Sequence, residues 1–305
     1  MSAVIEGCKH VDQREIVETP DDIAREFRHL VNCDPYKDML FVEINNQVIG
    51  FSRVAWRKEI DNILVYTHYG YLLPKWRRKG IGCAILHYNQ KRLREIAAEH
   101  TEDLPRYFSS FAADTEIGTT AMLCNEGYLP IRHFYKMVRP DLENIPKAPL
   151  PSGLEVRPAV SDHFQAICDA SNEAFRDHWG FSENMKLTVE KLVDDPTFNP
   201  SLWRVAWDGD QVAGMVLSYI DDKENAEYNL KRGWTEDICV RLPWRKQGLA
   251  SALIVQSLIA LKERGMEEAA LGVDTDNRTG ALGLYERLGY RSQKRFTVYR
   301  KPFEL

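Results

Sequence analysis

A chain of 305 residues is about twice the length of an ordinary single domain, so two separate cores are expected. Hydrophobic residues make up 44% and charged residues 28%, an ordinary globular mixture that excludes a largely disordered chain. The net charge of -5, from 45 acidic and 40 basic residues, excludes a broad basic field, so neither nucleic acid nor an anionic membrane is expected as a partner.

Met1 to His10 lacks a basic stretch leading into a long apolar run, and nothing farther on reaches the length of a membrane span, so a cytoplasmic protein is expected. The cysteines (Cys8, Cys33, Cys83, Cys124, Cys168 and Cys239) lie far apart without C-x-x-C spacing, as suits reduced and mostly buried thiols. The histidines also lack ligand spacing, and no metal site is expected.

Along the first half run three landmarks: Gln47-Val48-Ile49-Gly50, Trp76-Arg77-Arg78-Lys79-Gly80-Ile81-Gly82, and Asn125-Glu126-Gly127-Tyr128. All three recur in order as Gln211-Val212-Ala213-Gly214, Trp244-Arg245-Lys246-Gln247-Gly248-Leu249-Ala250, and Arg287-Leu288-Gly289-Tyr290. The offsets from Gly50 to Gly214, Gly80 to Gly248 and Gly127 to Gly289 are 164, 168 and 162 residues, which implies duplication with small loop changes. After Arg77-Arg78-Lys79-Gly80-Ile81-Gly82 the spacing of Ile81, Ala84, Ile85 and Tyr88 predicts one apolar helix face.

Between the copies, the proline-rich stretch from Arg139 to Gly153 reads as an extended connector. The boundary is placed near residue 150, giving domains 1–150 (with the linker) and 151–305.

In the second half, Leu154 to Arg157 reads as a strand, with Ser161-Asp162 able to cap the next helix. Trp203 to Trp207 and Gln211 to Tyr219 flank Asp208-Gly209-Asp210 as a hairpin. A strand through Thr235 to Val240 must end before Pro243. Leu249, Ala250, Leu253, Ile254, Leu258 and Leu261 then keep helical spacing up to a stop at Gly265. A strand at 269–273, a short helix at 280–288 and a last strand at 296–300 complete an α/β fold with a mixed sheet.

The turn Arg245-Lys246-Gln247-Gly248-Leu249-Ala250 brings backbone N–H groups and a helix N-terminus to one point, and its small residues let a ligand approach the backbone. A pyrophosphate fits such a place, with Arg241, Arg245 and Lys246 adding positive charge. The loop lacks the G-K-[ST] ending of a Walker A motif and the first glycine of a dinucleotide fingerprint.

This R-x-x-G-x-A turn after a strand resembles the acetyl-CoA loop of the GNAT acetyltransferase superfamily, whose pattern is Q/R-x-x-G-x-G/A. The run Gly272-Val273-Asp274-Thr275-Asp276-Asn277-Arg278-Thr279-Gly280-Ala281-Leu282-Gly283-Leu284-Tyr285-Glu286-Arg287-Leu288-Gly289-Tyr290 resembles that superfamily's second signature. The likeness covers residues 154 to 303 well and 38 to 138 more loosely, in the tandem layout of proteins similar to mycothiol synthase.

The resemblance implies two tandem GNAT domains, each with a mixed, mostly antiparallel sheet flanked by helices, and acetyl-CoA as cosubstrate without a metal. By that likeness Ile238, Cys239 and Val240 lie along the pantetheine arm, which pairs like an added strand. Arg245, Lys246, Gln247, Gly248, Leu249, Ala250 and Ser251 hold the pyrophosphate. Asn277 contacts the cofactor near the pantetheine, and Tyr285 points its hydroxyl at the thioester sulfur. In the first copy Leu72, Arg77, Gly80 and Gly82 hold the equivalent cofactor positions.

The implied reaction is direct attack of a neutral amine on the thioester, which requires two proton movements. Tyr285 serves the departing sulfur. Glu236 is the candidate base for the amine, with Asp237 on the opposite strand face unless a bulge exchanges the two. The backbone N–H of Val240 is the candidate stabiliser of the oxyanion.

The segments Asp177-His178-Trp179-Gly180-Phe181 and Asp221-Asp222-Lys223-Glu224-Asn225-Ala226-Glu227-Tyr228 combine aromatic and acidic groups and are the candidates for choosing the amine. Alignment through Gly127 and Gly289 sets Leu123 opposite Tyr285, and residues 115–117 offer no equivalent of Asn277. The first copy therefore reads as structural or regulatory, with a shortened opening strand or helix. A small amine is the expected acceptor. A protein or peptide acetyltransferase and a non-catalytic acyl-CoA sensor remain the alternatives.

Overall fold

The structure, a computed structural model, describes residues 1–277 and 279–303; Arg278 of the second signature lies outside the described residues. The first half contains α1 (Ser2–Asp12), α2 (Pro20–Arg28), β1 (Met39–Ile44), β2 (Gln47–Glu59), β3 (Ile63–Leu72), α3 (Ile81–Ala98), β4 (Arg106–Ala113), α4 (Ile117–Asn125) and β5 (Leu129–Arg139). The second contains β6 (Glu155–Arg157), α5 (Phe164–Phe175), α6 (Val189–Asp194), β7 (Arg204–Asp208), β8 (Gln211–Tyr219), α7 (Asp222–Tyr228), β9 (Arg232–Val240), α8 (Leu249–Glu263), β10 (Glu268–Asp274), α9 (Ala281–Arg287) and β11 (Arg291–Pro302).

These elements form two compact units. One holds Met1–His133, Ser182–Asn184 and the chain from Phe296 onward; the other holds Phe134–Phe181 and Met185–Arg295. In the N-terminal unit β1, β2 and β3 pair antiparallel, β3 and β4 pair parallel, and β11 runs antiparallel to β4 from Phe296 opposite Ala113 to Pro302 opposite Tyr107. In the C-terminal unit β6, β7, β8 and β9 pair antiparallel and β9 and β10 pair parallel. There β5 closes the sheet, with Phe134 opposite Asp274 and Arg139 opposite Ala269. Each mixed, mostly antiparallel sheet is thus finished by a strand from the other half of the sequence.

The proline-rich stretch has no regular structure, yet it is no free tether. Leu142 is buried in the second core, and Ile145, Ala148 and Leu150 pack against it. The chain first leaves the N-terminal unit between His133 and Phe134, upstream of that stretch.

Crowding explains one repeated landmark. Gly50 lies opposite Leu72 and Gly214 opposite Val240. A Cβ on either would come within 2.8 Å of a backbone oxygen, that of Tyr71 or of Cys239. Only glycine lets the hairpin press this closely on the strand end.

Three sequence expectations change in detail. The buried face of α3 is Ile85, Leu86, Asn89, Gln90, Leu93, Ile96 and Ala97, while Tyr88 is exposed, because the helix turns its later turns toward the sheet. Neither Ser161 nor Asp162 caps α5, since a short 3-10 turn at Ser161–His163 intervenes. In the first copy both opening helices are present; among the described residues it is the opening strand that has no counterpart.

Candidate active site

Three parallel pairs join β9 to β10, Arg232 with Glu268, Gly233 with Ala269 and Trp234 with Ala270. Beyond them the strands separate. On its other edge β9 carries a bulge: Leu217 faces Glu236 and Met215 faces Cys239, so Val216 alone answers both Asp237 and Ile238. Asp237 takes a left-handed φ of 47° to make this fit.

The bulge sends the two neighbouring carboxylates to different surroundings. Glu236 turns into the gap, where its Oε1 accepts the Gly272 N–H at 2.8 Å and replaces the ladder bond that strand separation removes. Burial, reinforced by Asp237 and opposed by that N–H, pushes its carboxyl up to about 8. Asp237, pushed up to about 6 by burial and then by Asp195, lies near Cys168 of α5 instead.

Arg241 N donates to Ala213 O at 3.0 Å while Gly214 faces Val240. This is the pattern of a non-hydrogen-bonded antiparallel pair, so the N–H and C=O of Val240 point away from β8, toward the gap. The alternation gives Ile238 the same sense. Cys239 has the opposite one: its backbone faces β8 and its thiol lies in the core with Ile167 and Val205. The structure therefore turns Cys239 away from the opening where the sequence had set it.

After Val240 the chain makes a short 3-10 turn (Leu242–Trp244) and enters the R-x-x-G-x-A loop. Lys246 and Gly248 both have positive φ, 62° and 85°. The first intrahelical bond of α8 is Ala252 N to Gly248 O at 3.1 Å, and no side chain caps the helix. The amides of Leu249, Ala250 and Ser251 thus present themselves at the N-terminus of a 15-residue helix, a ready site for an anion.

The side chains of both loop arginines are engaged within the protein. Arg245 donates through Nε to Val240 O at 2.9 Å, through Nη1 to Asp177 at 2.8 Å and through Nη2 to Ala174 O at 3.1 Å. Arg241 is held by Glu173 and by Val212 O. Both guanidiniums fasten the loop to its scaffold. Lys246 is the exposed cation left beside the helix end, and Gln247 bends back to Pro243 O at 3.1 Å.

Tyr285, on α9, is buried with its ring 6.2 Å from that of Tyr290 in an edge-on contact. Its hydroxyl makes no hydrogen bond among the described residues, whereas Tyr290 shares one of 2.8 Å with Thr235. Burial, with the Glu236 carboxylate second, holds the Tyr285 phenol well above its ordinary range, so it stays protonated. The Tyr285 hydroxyl is thus near enough to Glu236 to sense its charge. Asn277 uses Oδ1 inside its own turn, accepting Thr279 N at 2.7 Å, which leaves its amide nitrogen as the group to offer outward.

The Acetyltransferase (GNAT) family matches residues 164–290, which include the bulged strand, the loop and α9. The chain carries a GNAT acetyltransferase domain. It is similar to the mycothiol acetyltransferase of Catenulispora acidiphila, 29% identical over 75% of this chain and 70% of that protein. A GCN5-related N-acetyltransferase from Sphaerobacter thermophilus shares the fold at a TM-score of 0.73 and 22% identity, covering 100% of this chain and 92% of that one. A tandem GNAT protein from the clavulanic acid biosynthesis pathway superposes with a TM-score of 0.67 at 13% identity, over 99% of this chain and 94% of that one. The fold is therefore that of two GNAT domains in tandem. Acetyl transfer to an amine, with acetyl-CoA as donor, is the chemistry of the family.

The first copy repeats the scaffold without counterparts of Glu236 and Tyr285. Arg78 and Gly80 have φ of 60° and 82°, matching Lys246 and Gly248. Arg77 donates to Leu72 O at 2.9 Å and to both oxygens of Asp12. Leu73 N donates to Ile49 O at 2.9 Å, so Leu72 is disposed like Val240. Gly82 sits in the first turn of α3 with room for only a small residue beside Met122. Tyr128 N bonds Leu123 O as Tyr290 N bonds Tyr285 O, both at 3.0 Å, which places buried Leu123 where the second copy has its tyrosine. Strand β3 carries no bulge, and the residue in register with Glu236 is Tyr69.

Sequence reasoning missed the aspartates that hold the loop arginines. The signal was there: Asp12 and Asp177 stand 165 residues apart, within the span of the landmark offsets. Asp177, read as part of an acceptor loop, instead anchors Arg245, and Phe181 is buried. His178 lies near Asp274 and the Trp179 ring packs tilted against that of Phe134 at 6.3 Å, so this segment borders the C-terminal end of β10. The other segment folds as α7 with Asp221 as its cap; Glu224 turns inward to Arg232 and Trp234 rather than toward a ligand. Among the described residues there is no cluster of three metal-ligating side chains, and no helix is long and apolar enough to cross a membrane.

Proposed function

We propose that the C-terminal unit transfers the acetyl group of acetyl-CoA to a primary amine of a small molecule by direct attack, in the cytoplasm, and that the N-terminal unit is not catalytic. What supports this reading is Glu236, turned into the strand opening to accept the Gly272 N–H, on the strand that leads into the uncapped start of α8. Similarity to mycothiol acetyltransferases supports a small acceptor.

The pyrophosphate lies on the amides of Gly248 to Ser251 beside Lys246, and the pantetheine arm runs along Ile238 and Val240. Glu236, ionised, takes the proton that the amine must lose, directly or through water. The amine nitrogen bonds the thioester carbon, whose oxygen takes negative charge against the Val240 N–H. As the C–S bond breaks, the Tyr285 hydroxyl supplies a proton to sulfur, and coenzyme A leaves as the thiol; the Tyr285 phenolate is then reprotonated from solvent. The raised carboxyl of Glu236 suits it to an amine near neutral pH, where an ordinary carboxylate is too weak a base.

The test is an acceptor screen with acetyl-CoA that follows thiol release. Amine-dependent release by the wild type, lost in Tyr285→Phe, is the expected result. Cofactor binding without turnover across sugars, amino acids, polyamines and peptides would leave the sensor reading in its place.

A further inference from the structure

The N-terminal unit contains a cavity of about 330 Å³ that no step of acetyl transfer uses. That volume matches a small organic molecule. Phe51, Tyr69 and Tyr71 form an aromatic wall, with ring centroids of Phe51 and Tyr71 stacked at 5.3 Å and those of Tyr69 and Tyr71 edge-on at 6.4 Å. Arg14 steadies Tyr71 through a 2.7 Å bond from Nη1 to the hydroxyl.

Four charged side chains, Arg14, Glu18, Glu26 and Arg53, line this space. Arg53 has only 12% of its side chain exposed; Nη2 is paired with Glu26, and its plane lies 4.9 Å over the Tyr69 ring, but Nη1 is buried with no hydrogen-bond partner. A buried guanidinium nitrogen without an acceptor is costly, and the group that relieves it is an oxygen anion. Glu18 faces the same cavity and makes no ion pair among the described residues. Burial, with Glu26 adding, raises its carboxyl, a strain that an ammonium group removes.

Comparison of the two registers adds an independent reason. Arg53 opposes Tyr69 where Leu217 opposes Glu236 in the other copy. The Glu236 position is held by Tyr69, and the residue facing it, Leu217 in the C-terminal unit, is Arg53 in the N-terminal one. The cross-strand pair that carries a carboxylate in one copy thus carries a guanidinium in the other.

We propose that this cavity binds a small amphipathic zwitterion of the α-amino-acid class, its carboxylate on Arg53 Nη1, its ammonium on Glu18 and its apolar part against the aromatic wall. The site recognises without reacting, and it stands whether or not the proposed acetyl acceptor is correct.

Calorimetric titration of the full chain with L-phenylalanine, L-leucine, phenethylamine and phenylpropionate tests it. At least one amino acid is expected to bind, with the analogue lacking either charge weaker by about ten- to a hundredfold. Arg53→Met is expected to abolish the preference over phenethylamine, and Glu18→Gln the preference over phenylpropionate. Should Arg53→Met lose its native circular dichroism, Glu18→Gln decides alone. No heat or thermal stabilisation from any of the four at millimolar concentration overturns the proposal, as does binding that both variants leave unchanged.

Discussion

The Nε of Arg245 donates to the carbonyl of Val240 at 2.9 Å, tying the start of the loop to the end of the strand it left. The same guanidinium reaches Asp177 and Ala174 O, so it fixes the loop from two sides. A lysine cannot reproduce this fork. Arg245→Lys is expected to lose about 1–3 kcal/mol of stability in urea denaturation. Its KM for acetyl-CoA should rise by about tenfold or more, with kcat falling less, because positioning is lost rather than chemistry. An unchanged KM would mean that the loop holds its shape without the arginine.

Glu236 gives two pH signatures. As the base it must be ionised, so kcat/KM should climb as pH rises toward about 8 and level above it, and Glu236→Gln should remove most of the activity along with that limb. In the folded chain this carboxyl holds its proton more tightly than in the unfolded one. Native protein therefore binds more protons between the ordinary carboxylate range and about 8, and stability falls across that window as pH rises. Glu236→Gln should flatten the decline, read as melting temperature against pH; an identical decline in the variant would assign it to other groups.

Tyr285→Phe keeps the buried ring and deletes one hydroxyl. Turnover should fall about a hundred- to ten-thousandfold, while acetyl-CoA affinity changes little. A rate within threefold of wild type, as a rough threshold for a missing proton step, would remove Tyr285 from the mechanism.

Gly248 and Gly80 have nearly the same positive φ, and a Cβ on either meets nothing within 4 Å. Alanine at either position should therefore cost about 1 kcal/mol through backbone strain alone. Only Gly248→Ala should weaken acetyl transfer. If Gly80→Ala proved equally damaging to turnover, the N-terminal loop would have a part in the reaction.

Periodicity and turn residues made most of the second half legible: the hairpin at Gly209, the long helix after Gly248 and the stop at Gly289 all follow local chemistry. The GNAT resemblance likewise rests on short contiguous runs. What local sequence could not settle was where side chains at a bulge would point. Two adjacent acids in β9 look alike until a single left-handed residue, Asp237, separates them. Charge near the loop was equally deceptive, because a guanidinium reads as a phosphate ligand until its carbonyl and carboxylate partners are known. Asp177 is 68 residues from Arg245, too far for a local pattern to join them.

The exchange of closing strands bears on how the chain reaches its native state. The N-terminal sheet awaits residues from Phe296 onward, so the half that leaves the ribosome first cannot finish its own edge until nearly all of the protein has been made. A fragment ending at residue 150 would expose the β4 backbone to pairing with strangers, and aggregation rather than a tidy half-protein is its expected fate.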